Sequence, residues 1–193
     1  MNVATLTTHL KTSLGDSEES FQDDDLLRLL TIALDEFSRY KPLTLNASCR
    51  LMPGKQTYDV PLDFLSFKHT FWGQSTTPLW SNKPQPLGRP VTTPQGLQFQ
   101  RPITPAHIQH YGANYAYLYF AKHKILDNGD LTLSGDHDLL VMRAQAQAML
   151  ELALHNADKQ PAAHQHIGNQ SSNSKPMHIH DTLMAAFKAR LNA

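Results

Sequence analysis

The sequence lacks most of what would assign it to a particular chemistry. Cys49 is the only cysteine, which excludes an internal disulfide and a multi-cysteine zinc site. No apolar run approaches the roughly 18 residues of a membrane span. Met1 to Leu14 lacks the basic region and apolar block of a secretory signal. Charged side chains make up 18% of the 193 residues, below the usual quarter, and the formal net charge is zero. Neutrality argues against a general nucleic-acid binder, which carries a basic excess. There is no Gly-x-Ser-x-Gly elbow, and Met52-Pro53-Gly54-Lys55-Gln56 lacks the spacing of a phosphate-cradling loop. The length fits one domain with room for an arm. These absences point to a soluble protein of a reduced compartment or a virion, and not to an enzyme.

The zero is a sum of unlike parts. Residues 1–41 carry a net −4, residues 42–130 a net +4, and residues 131–193 balance. An acidic entry beside a basic middle suits head-to-tail self-contact, in which one copy's negative face meets its neighbour's positive one. The plainer account is an Asp-rich helix start and ordinary solvated surface.

Apolar spacing predicts a short helix over Val3–Leu14, with Gly15 as its stop. A second helix follows, with Leu26, Leu27, Leu30, Ala33, Leu34, Phe37 and Tyr40 on one face. Asp23, Asp24 and Asp25 stand at its start, where carboxylates cap free amides and oppose the helix dipole, and Pro42 ends it. Leu43 to Leu51 reads as a strand, and Pro53-Gly54 as a turn returning through Gln56–Val60 in a hairpin. Phe64, Leu65, Phe67, Phe71 and Trp72 supply large anchors. Seven of the 12 prolines fall between Pro78 and Pro105, a density compatible with edge strands and an extended excursion. Pro105 can open a helical turn reaching Tyr111. Tyr115, Tyr117 and Tyr119 alternate with Ala116, Leu118 and Phe120 as in a central strand, before a turn at Asp127-Asn128-Gly129-Asp130. Asp136 or Ser134 then caps a long helix burying Leu139, Met142, Ala146, Met149, Leu150 and Ala153. After a polar stretch from Pro161 to Pro176, Ile179, Leu183, Phe187 and Leu191 mark a last amphipathic helix that need not pack on its own subunit. The fold class expected is α+β: a helical core of two long helices and a short N-terminal one, with a β-rich, proline-rich insertion at about 43–133. Residues 1–160 would form one domain, and 161–193 a flexible linker with a terminal docking helix.

Few residues suggest a reactive site. Eleven histidines include the pairs His164/His166, His178/His180 and His107/His110, but no His-Glu-x-x-His pattern or nearby carboxylate cluster accompanies them. Consecutive aspartates on a helix fan out over about 200° and cannot form a paired acid/base site. Cys49 on a strand reads as a small buried apolar residue. The tyrosines could stack nucleic-acid bases, but only Lys122 and Lys124 lie nearby in sequence, which favours a core role.

The order of these features carries a resemblance. The helix Leu26-Leu27-Arg28-Leu29-Leu30 through Lys41-Pro42 precedes Pro53-Gly54-Lys55-Gln56-Thr57-Tyr58-Asp59-Val60-Pro61 and the pair Asp63-Phe64. The helix Asp138-Leu139-Leu140 through Glu151-Leu152-Ala153 comes later. Over roughly residues 20–190 this layout resembles the head–tail adaptor (connector) proteins of tailed bacteriophages. The long Pro78–Pro105 excursion has no assigned counterpart there. The resemblance implies a virion protein made in the host bacterial cytoplasm, forming a ring, usually of twelve copies, beneath the portal protein. Such a ring extends the channel for double-stranded DNA, without sequence specificity, and presents a surface to the next connector, nozzle or tail protein. It implies no catalytic residue, cofactor, metal or membrane. On this reading Ile179, Leu183, Phe187 and Leu191 would dock on the portal, and Asp23, Asp24 and Asp25 would serve contacts between subunits. The alternatives are another phage morphogenetic protein, such as a tail-completion factor or assembly chaperone, and a histidine-based metal-binding protein.

Overall fold

The computed structural model describes residues 2–73, 84–158 and 174–191. In chain order the elements are α1 (Val3–Leu14), α2 (Asp23–Tyr40), β1 (Leu43–Arg50), β2 (Thr57–Tyr58), β3 (Phe64–Thr70), β4 (Val91–Thr93), β5 (Gly96–Gln98), α3 (Pro105–Tyr111), β6 (Asn114–Ala121), α4 (His137–Asp158) and α5 (Ser174–Leu191). The architecture is α+β. Two units partition it: Met1–Lys41 with His123–Ala193 forms a helical unit, and Pro42–Lys122 forms a β unit. The β unit closes at Lys122, earlier than the bound of about 133 expected for the insertion. The reason is Leu131 and Leu133, whose side chains are buried in the helical core. No helix among the described residues is long and apolar enough to cross a membrane.

In the helical unit, α1 begins where the Asn2 side chain accepts the Ala4 N–H at 2.9 Å, and it ends at Gly15 with φ 53°. Leu6, Leu10 and Leu14 form its buried stripe. A short 3₁₀ turn, Gly15–Ser20, leads towards α2. There Leu26, Leu29, Leu30, Ala33, Leu34 and Phe37 are buried, whereas Leu27 and Tyr40 are 41% and 49% exposed. Leu27 lies about 100° around the helix from Leu26, which carries it off the buried stripe that Leu29 joins. Asp136 precedes α4 with φ 57°, and its carbonyl accepts the Leu139 N–H at 3.0 Å. Its carboxylate is paired with Lys41 at 2.9 Å.

Helices α2, α4 and α5 pack together, and α1 packs on α2 and α4. Surrounded in this way, α4 buries more than one stripe. Leu139, Leu140, Ala144, Ala146, Ala148, Met149 and Ala153 are buried, while Met142 and Leu150 are half-buried. Alanine suits this position because its small side chain lets neighbouring helices approach closely. Arg143, also buried, is hydrogen-bonded to Glu36 on α2 and to Gln147.

The β unit holds two three-stranded antiparallel sheets, ordered β1-β6-β3 and β2-β5-β4. The tyrosine strand β6 is central, as its alternation predicts, and Tyr115, Tyr117 and Tyr119 face a buried aromatic core. Phe67 stacks on Tyr117 with ring centroids 6.0 Å apart, and Phe64 on Tyr119 at 5.4 Å. Phe99 meets Tyr115 edge-on at 5.0 Å. The hairpin expected over Arg50–Val60 does not form. Strand β1 pairs with β6, while β2 pairs with β5, so the Pro53-Gly54 turn connects different sheets. Two bonds explain the departure: Leu51 N–H donates to the Ala113 carbonyl at 2.7 Å, and Met52 N–H donates to the Tyr58 hydroxyl at 2.8 Å. The proline-rich segment also departs from expectation, since β5 is a central strand. It occupies the proline-free gap between Pro94 and Pro102, so its own amides remain free to pair. Of the expected excursion from Pro78 to Pro105, residues 78–83 lie outside the described residues.

Candidate functional site

Four places hold the residues that the sequence singles out. The first is the acidic end of the helical unit. Asp23 is paired with Lys11 at 2.7 Å, a contact that raises the Lys11 pKa through its hydrogen bond. Asp25 accepts the Gln22 N–H at 3.1 Å and lies 3.7 Å from Arg28. Two of the three aspartates thus serve their own chain, one as an ion pair and one as part of a cap. Asp24 is exposed, as are Asp16, Glu18 and Glu19 nearby in the chain. An open depression of about 420 Å³ is lined by Lys11, Phe21, Gln22, Asp23 and Asp24.

The second is α5. Phe187 is fully buried in the helical core, with Ile179 and Leu191 packed against that core and Leu183 half-buried. The Phe187 ring meets Tyr40 edge-on at 6.4 Å, and a ring nitrogen of His180, Nδ1, lies 2.8 Å from the Ala146 carbonyl. The face expected to leave the subunit for a partner is instead spent on the subunit itself. The exposed positions of α5 include His178, Asp181, Thr182 and Lys188. The helix also starts earlier than expected, at Ser174, with Pro176 tolerated in the first turn. The linker expected from Pro161 falls mostly on residues 159–173, outside the described residues.

The third is the set of histidines and the cysteine. His107 is buried: Nδ1 accepts the Thr104 N–H at 3.1 Å, and Nε2 lies 2.9 Å from the Gln85 carbonyl. His110 and His178 are exposed. His164 and His166 lie outside the described residues, and among those described no three His, Cys, Asp or Glu side chains form a cluster able to hold a metal. A buried histidine that sequence reasoning did not single out is His123. Its N–H donates to Ser38 Oγ at 2.9 Å, and Nε2 lies 2.9 Å from the Lys41 carbonyl, a bond in which Nε2 is the donor. The one available signal was Ser38, a polar residue one position beyond Phe37 in the apolar stripe. Burial pushes the Cys49 thiol up to about 11, against a smaller opposing effect of Lys55, so it is a poor nucleophile at neutral pH. Burial also lifts Tyr117 to about 12. It lifts Tyr119 to a similar value, reinforced by the Asp63 carboxylate to which the hydroxyl donates at 3.0 Å. These rings are occupied in the core and not available for stacking.

The fourth is the basic β unit. The structural boundary sharpens the charge division: Pro42–Lys122 holds seven basic and two acidic residues, against ten and fifteen in the helical unit. Among the described residues, neutral groups meet Lys68, Arg89 and Arg101 of the β unit. Lys68 donates to Thr44 Oγ1 at 2.9 Å and lies 5.0 Å from the Phe120 ring centre. Arg89 donates to the Phe67 carbonyl at 2.8 Å, and Arg101 to the Gln85 side chain at 2.8 Å. At the end of β1, an open and mostly apolar groove of about 690 Å³ is lined by Arg50, Leu51, Met52, Pro53, Pro105, Ile108, Gln109 and Ala113. Comparison with known proteins finds no family model that matches the chain and no matching curated protein.

Proposed function

We propose that this chain is a structural head–tail adaptor of a tailed-bacteriophage virion, with no catalytic role. The observation that supports the reading best is a basic β unit inserted between α2 and α4 of an acidic helical unit, in the same order as in the adaptor family. On this reading the protein assembles into a ring beneath the portal protein, with the twelve copies usual in that family. It extends the DNA channel and receives the next connector, nozzle or tail protein. Opposite charges on the two units supply complementary sides for neighbouring copies, with the exposed Asp24, Glu18 and Glu19 among the acidic groups that serve them. A zero net charge keeps passing DNA phosphates from being held. Because Phe187 is buried within its own subunit, contact with the portal falls in this reading on the outward side of α5, around Asp181 and Lys188.

Electron microscopy of the purified full chain, alone and mixed with portal protein, tests the proposal. Rings that bind portal are the expected result. A chain that stays monomeric with portal present, and is absent from purified virions by mass spectrometry, would overturn it. Reversing Asp24, Glu18 and Glu19 to lysine should weaken ring formation at low salt while leaving the Asp23 and Asp25 contacts intact.

A further inference from the structure

An edge strand exposes a row of unpaired backbone groups, and proteins ordinarily guard it with bulges, charges, proline or short length. Three of the four sheet edges among the described residues are guarded in these ways. Strand β2 has two residues, and β4 has three, set between Pro90 and Pro94. Strand β3 is interrupted by two register shifts and carries Lys68. The fourth edge, β1, has none of these devices. All eight of its residues pair with β6 in unbroken register, from Leu43 opposite Ala121 to Arg50 opposite Asn114. It contains no proline, lysine or acidic residue, and its single charge, Arg50, is at the last position. No described residue outside β6 hydrogen-bonds to its backbone.

We propose that the free edge of β1 binds an extended acidic segment of another polypeptide as an added strand. The two faces of β1 define what such a segment must present. On one face Ala47 and Cys49 pack beside the aromatic core, and Leu45, on the same face, is 37% exposed, so the incoming strand needs apolar side chains at alternate positions. On the other face Thr44, Asn46 and Ser48 are exposed, with Lys68 bonded to Thr44 and Arg50 exposed at the end. Carboxylates on that side meet a unit with five more basic than acidic residues. The same excess disfavours a second copy of β1 as the occupant, because edge-to-edge pairing would join two positively charged units. This inference does not depend on the adaptor reading.

The test uses the full chain and a blocked synthetic peptide of alternating valine and glutamate, matched to β1 in length. Hydrogen exchange followed by NMR reads the β1 amides that point away from β6. Saturable binding should slow their exchange by about tenfold, more strongly at low salt, and an alternating valine and lysine peptide should bind more weakly. Leu45→Lys, which places a charge on the edge at a partly exposed position, should remove the protection. Ser66→Lys on the guarded edge should leave it unchanged and shows that the unit tolerates an added lysine. No protection at millimolar peptide, or protection confined to β3 or the second sheet, overturns the proposal. So does protection that appears on raising the protein concentration alone, since the occupant is then a second copy.

Discussion

Replacing Phe187 by alanine separates two roles for the terminal helix. Phe187 is fully buried, and its ring also meets Tyr40 edge-on at 6.4 Å. Loss of a buried phenylalanine typically costs 3–5 kcal/mol, roughly, including the cavity left behind. Of this, about 1 kcal/mol belongs to the ring pair with Tyr40. A loss of about 4 kcal/mol should lower the melting midpoint by roughly 10 °C. Far-UV circular dichroism during urea or thermal unfolding is the suitable assay, since the long helices α1, α2, α4 and α5 dominate that signal and belong to one unit. Lys188→Ala, at an exposed position of the same helix, should change stability by less than about 0.5 kcal/mol. A Tyr40→Ala and Phe187→Ala cycle should return a coupling near 1 kcal/mol. If Phe187→Ala were as mild as Lys188→Ala, α5 would not belong to the core of its own subunit, and the packing argument would fail.

Two further predictions rest on titrating groups. Cys49, with its thiol pushed up to about 11, should react with iodoacetamide at pH 8 roughly a hundredfold more slowly than free cysteine, and the difference should vanish in denaturant. A rate like that of free cysteine would mean that the residue is solvated. Glu151 has its pKa lowered, chiefly by the hydrogen bond from Arg28. Its folded pKa thus lies below the unfolded one, so its contribution is present above the ordinary carboxylate range and is lost as pH falls through the folded value. Because the Arg28 side chain is 47% exposed, solvent screening holds that contribution to about 0.5 kcal/mol. Glu151→Gln should therefore be slightly less stable than the natural protein at pH 7, with the gap closing in acid; a gap that widens in acid contradicts the assignment.

Much of the fold is legible in the sequence where one local signal dominates. The Val3–Leu14 spacing and Gly15 set α1 at both ends, and Pro42 sets the end of α2. Alternation in the tyrosine strand marks it as a strand, and the apolar or aromatic residues on both of its faces place β6 at the centre of its sheet. What fails are statements about partners. The turn at Pro53-Gly54 is visible as a turn, but the strands on its two sides pair with distant segments, and those pairings are set by the buried aromatic core. The apolar stripe of α5 is equally visible, yet the spacing of Ile179 and Phe187 is the same for a helix that binds a partner and one that packs at home. The alanines of α4 that let α5 come close are the information the stripe lacks. The candidate surfaces are still less legible. Nothing in Leu43–Arg50 read alone distinguishes an edge from an interior strand; the free edge becomes visible only once β6 and β3 are ordered beside it.

The inserted arrangement also sets a timetable for synthesis. The β unit is one continuous stretch, Pro42–Lys122, and can close as soon as β6 has left the ribosome. The helical unit cannot. The apolar face of α2 is made early, but α4 begins only at His137. At about 5–20 residues per second, translation leaves that face waiting for roughly 5–20 s with α1 as its available cover. The segment made second is therefore completed first, and the nascent acidic helices pass through the most aggregation-exposed interval of the whole process before their partner helix exists.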